Sequence, residues 1–442
     1  MAGNFKSFAE LEDFISSLSS PGIRPGLERM KRLLDGLGNP ENDFPSVHIV
    51  GTNGKGSTAA YSTSILMEAG YKTSLYTSPH LESPDERLLV DGRPLSLEEW
   101  SGAFMKISRV LEGDLTLAAD PPTYFELITA AAFLLYSENR VDIAVTEAGL
   151  GGRLDGTNLL GNVVLTLIAS ISMDHNDFLG NTLEEIADEK FAVMRRGVPA
   201  IFSGNPEKLI PLFREQAEYL GAIPAVLQEE VQTSNVSVTR EGVSFTLCRK
   251  SACLPLRTPL HGSFQVENCS LAALGMWTLA KKFPQITDSA QINGAAKARW
   301  PGRFEILRPS PPLILDGAHN PDGMRRLVES IRIIYGNERP TAVFASMKDK
   351  DFSEVLCLLE EGAGKLICTA MPDNPRSSSP SDLAEAALRA GWGEDRVLMI
   401  DDPWEALLEA ERAAEGTICC GSLYFVGYMR LLLFSRREEL GF

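Results

Sequence analysis

The chain has 442 residues, of which 44% are hydrophobic and 23% are charged, and its formal net charge at pH 7 is -17. The length predicts two or three domains, and the composition is ordinary for a folded globular protein. The acidic balance argues against nucleic acid as the main partner, because no concentration of basic residues offsets phosphate repulsion. No apolar run approaches a membrane span, and residues 1–18 form an acidic amphipathic pattern instead of a signal peptide. We therefore expect a cytoplasmic protein without a membrane partner.

Cysteine usage supports the same compartment. The seven cysteines are odd in number and show no C-x-x-C spacing, so reduced thiols that mostly fill the core are the simplest interpretation. They are Cys248, Cys253, Cys269, Cys357, Cys368, Cys419 and Cys420.

The most informative stretch is residues 47–58, which read VHIVGTNGKGST. A strand-like run leads into a glycine-rich turn with one lysine, and the following residues, 59–69, favour a helix. This order aims backbone N–H groups and a helix N-terminus at a phosphate. We expect Lys55 to reach the outer phosphates and Ser57 or Thr58 to ligate magnesium. The alternative is a glycine-rich turn that binds no ligand. The candidates for nucleotide binding are Thr52, Asn53, Gly54, Lys55, Gly56, Ser57 and Thr58.

The strict phosphate-loop pattern places Ser or Thr directly after the lysine, whereas Gly56 intervenes here. This departure points to a particular subfamily of phosphate-binding loops.

Strand-like and helix-like runs alternate through the first two thirds of the chain, which predicts a mostly parallel sheet covered by helices. The predicted strands are residues 71–76, 143–147, 163–168 and 200–203, and the predicted helices are residues 123–139, 183–195 and 265–282. Residues 226–256 change to short Val/Thr/Ser-rich runs, which are typical of an antiparallel hairpin region.

A second α/β series follows a predicted hinge at residues 299–303, where Pro and Gly interrupt the pattern. Its predicted strands are residues 313–315, 341–345, 365–369, 396–400 and 423–426, and its helices include residues 321–335 and 380–390. We predict an α/β protein of two domains. Residues 1–299 form a phosphate-loop domain with a mostly parallel sheet, and residues 300–442 form a smaller α/β domain. A nucleotide at their junction is expected.

Polar residues recur where predicted strands end, which is where open parallel sheets bind ligands. Ser78 follows one strand, and Glu147 ends another before a glycine loop, where a carboxylate suits magnesium. His175 and the pair Asp316 and His319 lie in similar positions. Each has a plain alternative, such as a helix-capping serine, a solvated carboxylate or a structural histidine. Their joint recurrence is hard to explain by packing.

Taken together, these motifs resemble the folylpolyglutamate synthase/dihydrofolate synthase family of the Mur-ligase superfamily. The resemblance covers nearly the whole chain. The matching segments are residues 51–58, 77–80, 86–87, 125–126, 147–158, 174–190, 265–268, 300–303, 316–323, 348–351, 375–376 and 421–425.

The resemblance implies roles for individual residues. Catalysis would rest on Lys55, Lys190 and His175, with Lys190 carbamylated. One or two Mg²⁺ ions would be held by Ser78, Glu147 and His175, together with Ser57 of the phosphate loop. K⁺ is a further candidate ion. ATP would also be held from the far side of the cleft by Asn268, Arg303, Asp316 and His319. The pterin-bearing substrate would lie near Thr123, Tyr124, Phe125, Glu126, Leu154, Asp155 and Gly156.

The chain departs from the family pattern at three points. The usual Glu-Lys-Ala-Gly is Glu-Lys-Phe-Ala at residues 189–192, which changes the packing around the lysine. The usual His-Gln pair is Phe-Gln at residues 264–265. Residues 82–85 lack a frequent aromatic, which bears on folate-side specificity.

The implied activity is an ATP-dependent ligase that adds L-glutamate to a folate or dihydropteroate carboxylate through an acyl phosphate, acting as a monomer. Another amino-acid ligase of the superfamily, of muramyl-peptide or cyanophycin type, is the alternative within the same class. A catalytically silent nucleotide-binding module is an alternative of a different class. Such a module would be expected to lose Lys55, Glu147 or His175, and all three are present.

Overall fold

The computed structural model describes residues 5–174, 176–348, 352–372, 374–413 and 415–437. The chain forms two compact units. The first comprises Met1–Gln232, Leu247–Leu254 and Glu267–Lys297, and the second comprises Thr233–Thr246, Pro255–Val266 and Ala298–Phe442.

The first unit is built on an eight-stranded sheet with the order β4-β3-β2-β5-β1-β6-β7-β8. Its strands are β1 (Ser46–Val50), β2 (Thr73–Tyr76), β3 (Leu88–Val90), β4 (Arg93–Pro94), β5 (Ile143–Glu147), β6 (Val163–Ile168), β7 (Pro199–Phe202) and β8 (Ile223–Val226). Strands β2, β5, β1, β6, β7 and β8 pair parallel with one another in that order, whereas β3 pairs antiparallel with both β2 and β4. Strands β1, β5 and β6 are buried throughout, as expected for a sheet covered on both faces.

The helices that precede residue 298 are α1 (Phe8–Leu18), α2 (Glu28–Leu37), α3 (Lys55–Glu68), α4 (Leu97–Gly113), α5 (Leu115–Ala119), α6 (Tyr124–Glu138), α7 (Asn176–Leu179), α8 (Leu183–Phe191), α9 (Ile210–Leu220), α10 (Leu227–Glu230), α11 (Gln265–Leu279) and α12 (Asp288–Lys297). Helix α3 is mostly buried. A Cβ added to Gly294 of α12 would lie 2.5 Å from Ile65 Cα, so the glycine permits close packing of α12 on α3.

Three further strands, β9 (Gln232–Thr239), β10 (Gly242–Arg249) and β11 (Ala252–Thr258), form a sheet of their own in the order β11-β10-β9. A disulfide joins Cys248 to Cys253 across the turn between β10 and β11, where the two Cα atoms are 4.1 Å apart. The expectation that all seven cysteines are reduced thiols is therefore wrong for these two, because the tight turn brings them face to face. Among the other five, only Cys357 is exposed.

The second unit contains a six-stranded sheet with the order β12-β13-β17-β14-β15-β16. Its strands are β12 (Glu305–Pro309), β13 (Pro312–Asp316), β14 (Thr341–Phe344), β15 (Leu366–Cys368), β16 (Val397–Met399) and β17 (Thr417–Cys420). Only the β12–β13 pair is antiparallel. The helices are α13 (Pro321–Tyr335), α14 (Ser353–Glu360), α15 (Pro380–Arg389), α16 (Pro403–Ala410) and α17 (Leu423–Ser435).

One predicted strand is wrong. Residues 423–426 begin helix α17, and the last strand of the sheet is Thr417–Cys420. A short apolar run does not distinguish a buried strand from a buried helix, and the run continues through residue 434 at helical length. Helix α8 also ends at Phe191, earlier than the predicted residue 195. Over the stretches of chain that the structure describes, no helix is long and apolar enough to cross a membrane.

Candidate active site

The glycine-rich loop lies between β1 and α3, and its shape requires two glycines. Gly54, the residue before α3, has φ +87°, and a Cβ there would collide with Asn268 Oδ1. Gly51 has φ +147°, and a Cβ there would lie 2.9 Å from the Cβ of Ala169. The loop backbone therefore approaches its neighbours more closely than any side chain would allow.

The loop is tied to the segment that follows β6. The Thr52 N–H donates to Ser170 O at 2.7 Å. The Thr52 hydroxyl donates to Ser172 O at 3.1 Å and accepts from the Ser172 N–H at 3.1 Å. The Asn53 amide donates to Ser172 Oγ at 3.3 Å. These bonds tie the loop backbone to the neighbouring segment, which is the arrangement a phosphate-binding loop needs.

Lys55, Glu147 and Ser78 converge beside this loop. The Lys55 ammonium donates to Thr52 O at 3.0 Å and lies 3.9 Å from Glu147 Oε1. The backbone N–H of Ser78 donates to Glu147 Oε2 at 3.4 Å. Three residues that end or follow three parallel strands are thereby brought together at one edge of the sheet, where the carboxyl ends of parallel strands meet.

The predicted metal site also includes His175, which lies outside the described residues. Within the described part of the chain, no group of three or more His, Cys, Asp or Glu side chains is placed to hold a metal ion. Glu147 is nonetheless a carboxylate with only 7% of its side chain exposed, at a strand end and beside a lysine. A carboxylate and hydroxyls of this kind suit Mg²⁺, which also keeps water and substrate phosphate oxygens as ligands.

Lys190 is not a solvated helix lysine. Its side chain is buried, with 3% of the residue exposed, and its ammonium donates to Gly51 O at 2.9 Å. Burial lowers the pKa of Lys190 to about 7, and the charge of Lys55 acts in the same direction, whereas Asp174 opposes it. A substantial fraction of this amine is therefore neutral near neutral pH, which is the form that reacts with CO₂.

The departure from the family pattern next to Lys190 has a structural account. Phe191 is fully buried, and its ring lies 5.4 Å from the rings of Phe202 and of Phe213. The larger side chain therefore points into an aromatic cluster of the core. The backbone on the other side of the lysine is constrained by Gly152, where a Cβ would lie 2.6 Å from Glu189 O.

The residues at the start of α6 that are predicted to lie near the pterin-bearing substrate form hydrogen bonds and contacts within the fold. Thr123 and Glu126 form a capping box, in which Glu126 Oε2 accepts from the Thr123 N–H at 2.7 Å. Arg29 Nε also donates to Glu126 Oε2, at 3.3 Å. The ring of Phe125 lies against the loop that follows β5, since a Cβ on Gly149 would lie 2.6 Å from Phe125 Cζ. The cap fixes the direction in which Phe125 and its neighbour Tyr124 leave the helix.

Asp155 organises the loop that follows β5. It is buried, and its Oδ2 accepts from the Leu150 N–H at 2.8 Å. Its Oδ1 accepts from the Thr157 N–H at 3.0 Å and from the Thr157 hydroxyl at 2.6 Å. Leu154 is 41% exposed, and a Cβ on Gly156 would lie 3.8 Å from Phe125. The two segments that are predicted to lie near the pterin-bearing substrate, residues 123–126 and 154–156, are therefore neighbours.

Arg87 lies in a segment, residues 86–87, that matches the family pattern, but the sequence assigns no role to it. It is 7% exposed, its Nε donates to His80 Nδ1 at 2.9 Å, and its guanidinium lies 5.5 Å from the centre of the Tyr124 ring. Burial, and then the charge of Arg87, lower the pKa of His80 to about 4, so this histidine is neutral. A pairing of Arg87 with an aromatic partner is not visible in sequence, because the two residues are far apart along the chain.

In the second unit, Asp316 holds the backbone around Arg303. Its Oδ2 accepts from the Phe304 N–H at 2.6 Å, and its Oδ1 accepts from the Ala318 N–H at 2.8 Å. Burial raises the pKa of Asp316, and Arg303 counteracts that rise. A Cβ on Gly317 would lie 3.0 Å from a terminal nitrogen of Arg303.

His319 lies in the same loop, and its Nδ1–H donates to Gly317 O at 2.8 Å. This bond fixes the orientation of the imidazole ring within the loop. Arg303, Asp316 and His319 therefore form one group. The side chain of Asn268 lies beside Gly54 of the glycine-rich loop in the first unit.

Two family models match the chain. Residues 49–276 match the Mur ligase middle domain, and residues 302–422 match the glutamate ligase domain of Mur ligases. Together these segments contain most of the chain and the candidate site residues from Thr52 to His319.

Similar proteins span the full length. The dihydrofolate synthase/folylpolyglutamate synthase of Bacillus subtilis is 36% identical over 431 residues, which cover 96% of this chain and 99% of the relative. The folylpolyglutamate synthase of Mycobacterium tuberculosis complexed with ADP and AMPPCP superposes with a TM-score of 0.88 at 30% identity, over 96% of this chain and 98% of that one. E. coli FolC in complex with DHPP and ADP superposes with a TM-score of 0.85 at 30% identity, over 97% of this chain and 98% of that one.

Proposed function

The chain belongs to the dihydrofolate synthase/folylpolyglutamate synthase family of Mur ligases, whose members are ATP-dependent, ADP-forming ligases of L-glutamate to folate, and we propose that it performs this reaction through an acyl phosphate. The observation that carries the proposal is the convergence of Lys55, Glu147 and Ser78 beside a rigid glycine loop. A cation, a metal-binding carboxylate and a phosphate cradle are what phosphoryl transfer to a carboxylate requires.

The nucleotide is assigned first to the glycine loop. The α3 N-terminus and the backbone N–H groups of the loop suit the phosphates, and Lys55 supplies the positive charge that the outer phosphates need. The ATP-binding set in this loop is Thr52, Asn53, Gly54, Lys55, Gly56, Ser57 and Thr58. Asn268, which lies against Gly54, is well placed to join this set.

Magnesium is assigned to Glu147, Ser78 and Ser57, with His175 as a further ligand. The fit rests on Glu147, a nearly buried carboxylate that lies 3.9 Å from Lys55 and accepts the Ser78 N–H. When bound, Mg²⁺ neutralises charge on the phosphate oxygens. The protein's own contribution is to fix the carboxylate and to keep Lys55 close to it.

Lys190 is proposed to carry a carbamate. A buried lysine whose ammonium donates to a backbone carbonyl is costly to keep charged, and reaction with CO₂ converts it to an anion. Placed beside Gly51 and near Lys55, that carboxylate would add negative charge where metal is held. Phe191, packed in its aromatic cluster, leaves this position of the lysine undisturbed.

The acceptor is assigned to the first turn of α6 and to the loop that follows β5. Phe125 and Tyr124 offer aromatic surface for a pterin ring, and Gly156 lies next to Phe125 in the neighbouring loop that Asp155 organises. Thr123 and Glu126 hold the turn, and Leu154 is exposed at its side. Both dihydropteroate and a folate present a carboxylate on a pterin-bearing scaffold, so both are proposed as acceptors.

The second unit is assigned further contacts to nucleotide and to L-glutamate. Arg303 and His319 offer a cation and a hydrogen-bonding ring, and Asp316 fixes the backbone that carries them. A planar guanidinium is well suited to phosphate or carboxylate oxygens.

The chemistry then follows from charge. An oxygen of the acceptor carboxylate attacks the γ-phosphorus of ATP, the bond to the bridging oxygen breaks, and ADP leaves. The amine nitrogen of L-glutamate attacks the carbonyl carbon of the resulting acyl phosphate, loses a proton and forms an amide as inorganic phosphate departs. Lys55 stabilises the negative charge that spreads over the transferred group.

We further propose that the protein works as a cytoplasmic monomer on small molecules, without a nucleic-acid or membrane partner, and that K⁺ stimulates it. The net charge of -17 supports the exclusion of nucleic acid. Sedimentation at micromolar concentration tests the monomer, and replacement of K⁺ by Na⁺ in the assay tests the ion.

The experiment for the proposed function is ADP and phosphate release measured with ATP, Mg²⁺, L-glutamate and a panel of acceptors. Dihydropteroate, tetrahydrofolate and a uridine-linked muramyl precursor separate the possible substrates. We expect glutamate-dependent release with at least one pterin acceptor and none with the muramyl precursor. Release with the muramyl precursor alone would overturn the proposal.

A further inference from the structure

His48 is a buried histidine in the strand that carries the glycine loop. It lies in the middle of β1, is fully buried, and its register partners are Thr146 in β5 and Thr166 in β6. Apart from Glu147 at the end of β5, the other positions of β1, β5 and β6 hold apolar or small hydroxyl side chains, so an imidazole at this position needs a reason.

The imidazole has one hydrogen-bond partner, and that partner fixes its tautomer. His48 Nε2 lies 2.9 Å from Thr157 Oγ1, and the Thr157 hydroxyl lies 2.6 Å from Asp155 Oδ1. The hydroxyl has one proton, which goes to the carboxylate because a carboxylate only accepts. His48 Nε2 must then be the donor to Thr157, and the chain runs from His48 through Thr157 to Asp155.

His48 contributes little to the stability of the fold. Among the residues that the structure describes, His48 Nδ1 has no hydrogen-bond partner although it is buried. Leaving a buried polar atom unpaired costs stability, so a side chain retained only for packing would be apolar. The cost is consistent with a positioning role at a functional site.

We propose that His48 is a positioning residue for the acceptor-binding loop, acting through Thr157 on Asp155. Asp155 accepts from the Leu150 N–H and the Thr157 N–H, so its carboxylate shapes the backbone of residues 150–157. With the Nε2–H donor in place, the Thr157 hydroxyl points to Asp155 in a single orientation. The loop that lies against Phe125 is thereby held from the same strand that leads into the phosphate loop. This inference rests on the proposed function, because it is tested by the KM of the acceptor substrate.

The test compares His48→Leu, which removes the donor, with His48→Gln, whose side-chain amide retains one. Thr157→Val and Thr157→Ser form the matching pair on the partner. Thr166→Val is the control, since Thr166 is buried beside His48 in register and its hydroxyl has no partner among the described residues. Each variant is assayed for KM of the acceptor, KM of ATP and turnover, and its free energy of unfolding is measured in urea.

We expect His48→Leu to raise the acceptor KM about tenfold, as the loss of one ordinary buried hydrogen bond would. The KM of ATP should change less than about twofold, and the folded state should be as stable as the wild type or more so. In His48→Gln and Thr157→Ser the acceptor KM should lie close to the wild-type value, and in Thr166→Val it should equal the wild-type value. The double variant His48→Leu/Thr157→Val should be no worse than Thr157→Val alone, because both remove the same link.

Two outcomes would overturn the inference. One is an unchanged acceptor KM in His48→Leu, and the other is an equal rise in the KM values of acceptor and ATP that tracks a loss of stability. If the wild type itself turns over no pterin acceptor, the proposed function fails instead, so the two failures are distinguishable.

Discussion

The ammonium of Lys190 donates to the carbonyl oxygen of Gly51 at 2.9 Å, which joins a buried lysine of α8 to the first residue of the glycine loop. This contact puts two lysines near the loop, because Lys55 donates to Thr52 O from the other end of it. Burial, and then the charge of Lys55, lower the pKa of Lys190 to about 7. The contact therefore links the fold of the first unit to the chemistry proposed for the loop.

Replacing Lys55 by alanine should lower glutamate-dependent phosphate release by about a thousandfold or more, since the developing charge loses its cation. The far-ultraviolet circular dichroism and the urea midpoint should stay close to those of the wild type. Lys106→Ala is the control, because Lys106 is half exposed and forms a surface ion pair with Glu138. Near-normal turnover in a folded Lys55→Ala variant would sink the assignment of the loop.

Replacing Glu147 by glutamine should raise the Mg²⁺ concentration for half-maximal activity at least about tenfold, because the amide removes the negative charge that attracts the ion. The measurement is a Mg²⁺ titration at saturating ATP. Glu229→Gln, which breaks an exposed pair with Arg214, is the matched control and should leave the titration unchanged. An unaltered Mg²⁺ dependence in Glu147→Gln would remove this residue from the metal site.

Carbamylation of Lys190 predicts chemical rescue. Lys190→Ala should lose acyl-phosphate formation while keeping ATP binding, and short carboxylates such as formate or acetate should restore part of the activity. Removal of CO₂ and bicarbonate should lower wild-type activity, and their return should restore it. High-resolution density at Nζ is the direct check. Full activity of Lys190→Ala without any carboxylate would refute the proposal.

The burial of Lys190 predicts a pH-dependent stability. The pKa falls from 10.5 to about 7 on folding, so between these values the unfolded chain binds a proton that the folded chain lacks. The contribution of Lys190 to the free energy of unfolding is therefore least favourable below pH 7 and improves as pH rises toward 10.5. The free energy of unfolding of Lys190→Met and of the wild type is measured in CO₂-free urea titrations. The advantage of Lys190→Met over the wild type should be larger at about pH 7 than at about pH 9, by at least about 1 kcal/mol. Substitution of the exposed Lys106 by Met serves as the control. An equal gain in stability of Lys190→Met at both pH values would mean that the pKa of Lys190 is not lowered in the folded state.

Much of the first unit follows from patterns that carry a physical cause. The strand, glycine turn and helix around Lys55 were predictable because a phosphate loop needs those three parts in order. The meeting of Ser78 and Glu147 was predictable because both end parallel strands of one sheet. Helix α13 is predicted with its observed ends at Pro321 and Tyr335, since Asn and Pro mark its start.

Other features depend on long-range contacts that sequence does not show. A buried strand histidine such as His48 carries no local signal, because its partner Thr157 is 109 residues away. Arg87 gains its aromatic partner Tyr124 only through the fold. The burial of Lys190 is equally invisible, since its charged neighbours on α8 suggest a solvated face.

The most direct test of the account follows an oxygen atom. The acceptor is prepared with ¹⁸O in its reactive carboxylate and incubated with the wild-type protein, ATP, Mg²⁺ and L-glutamate, and the released phosphate is analysed by mass spectrometry. An acyl phosphate predicts that one ¹⁸O atom passes from the carboxylate to each phosphate released, in step with amide formation. Amide formation with phosphate that contains no ¹⁸O would contradict the account.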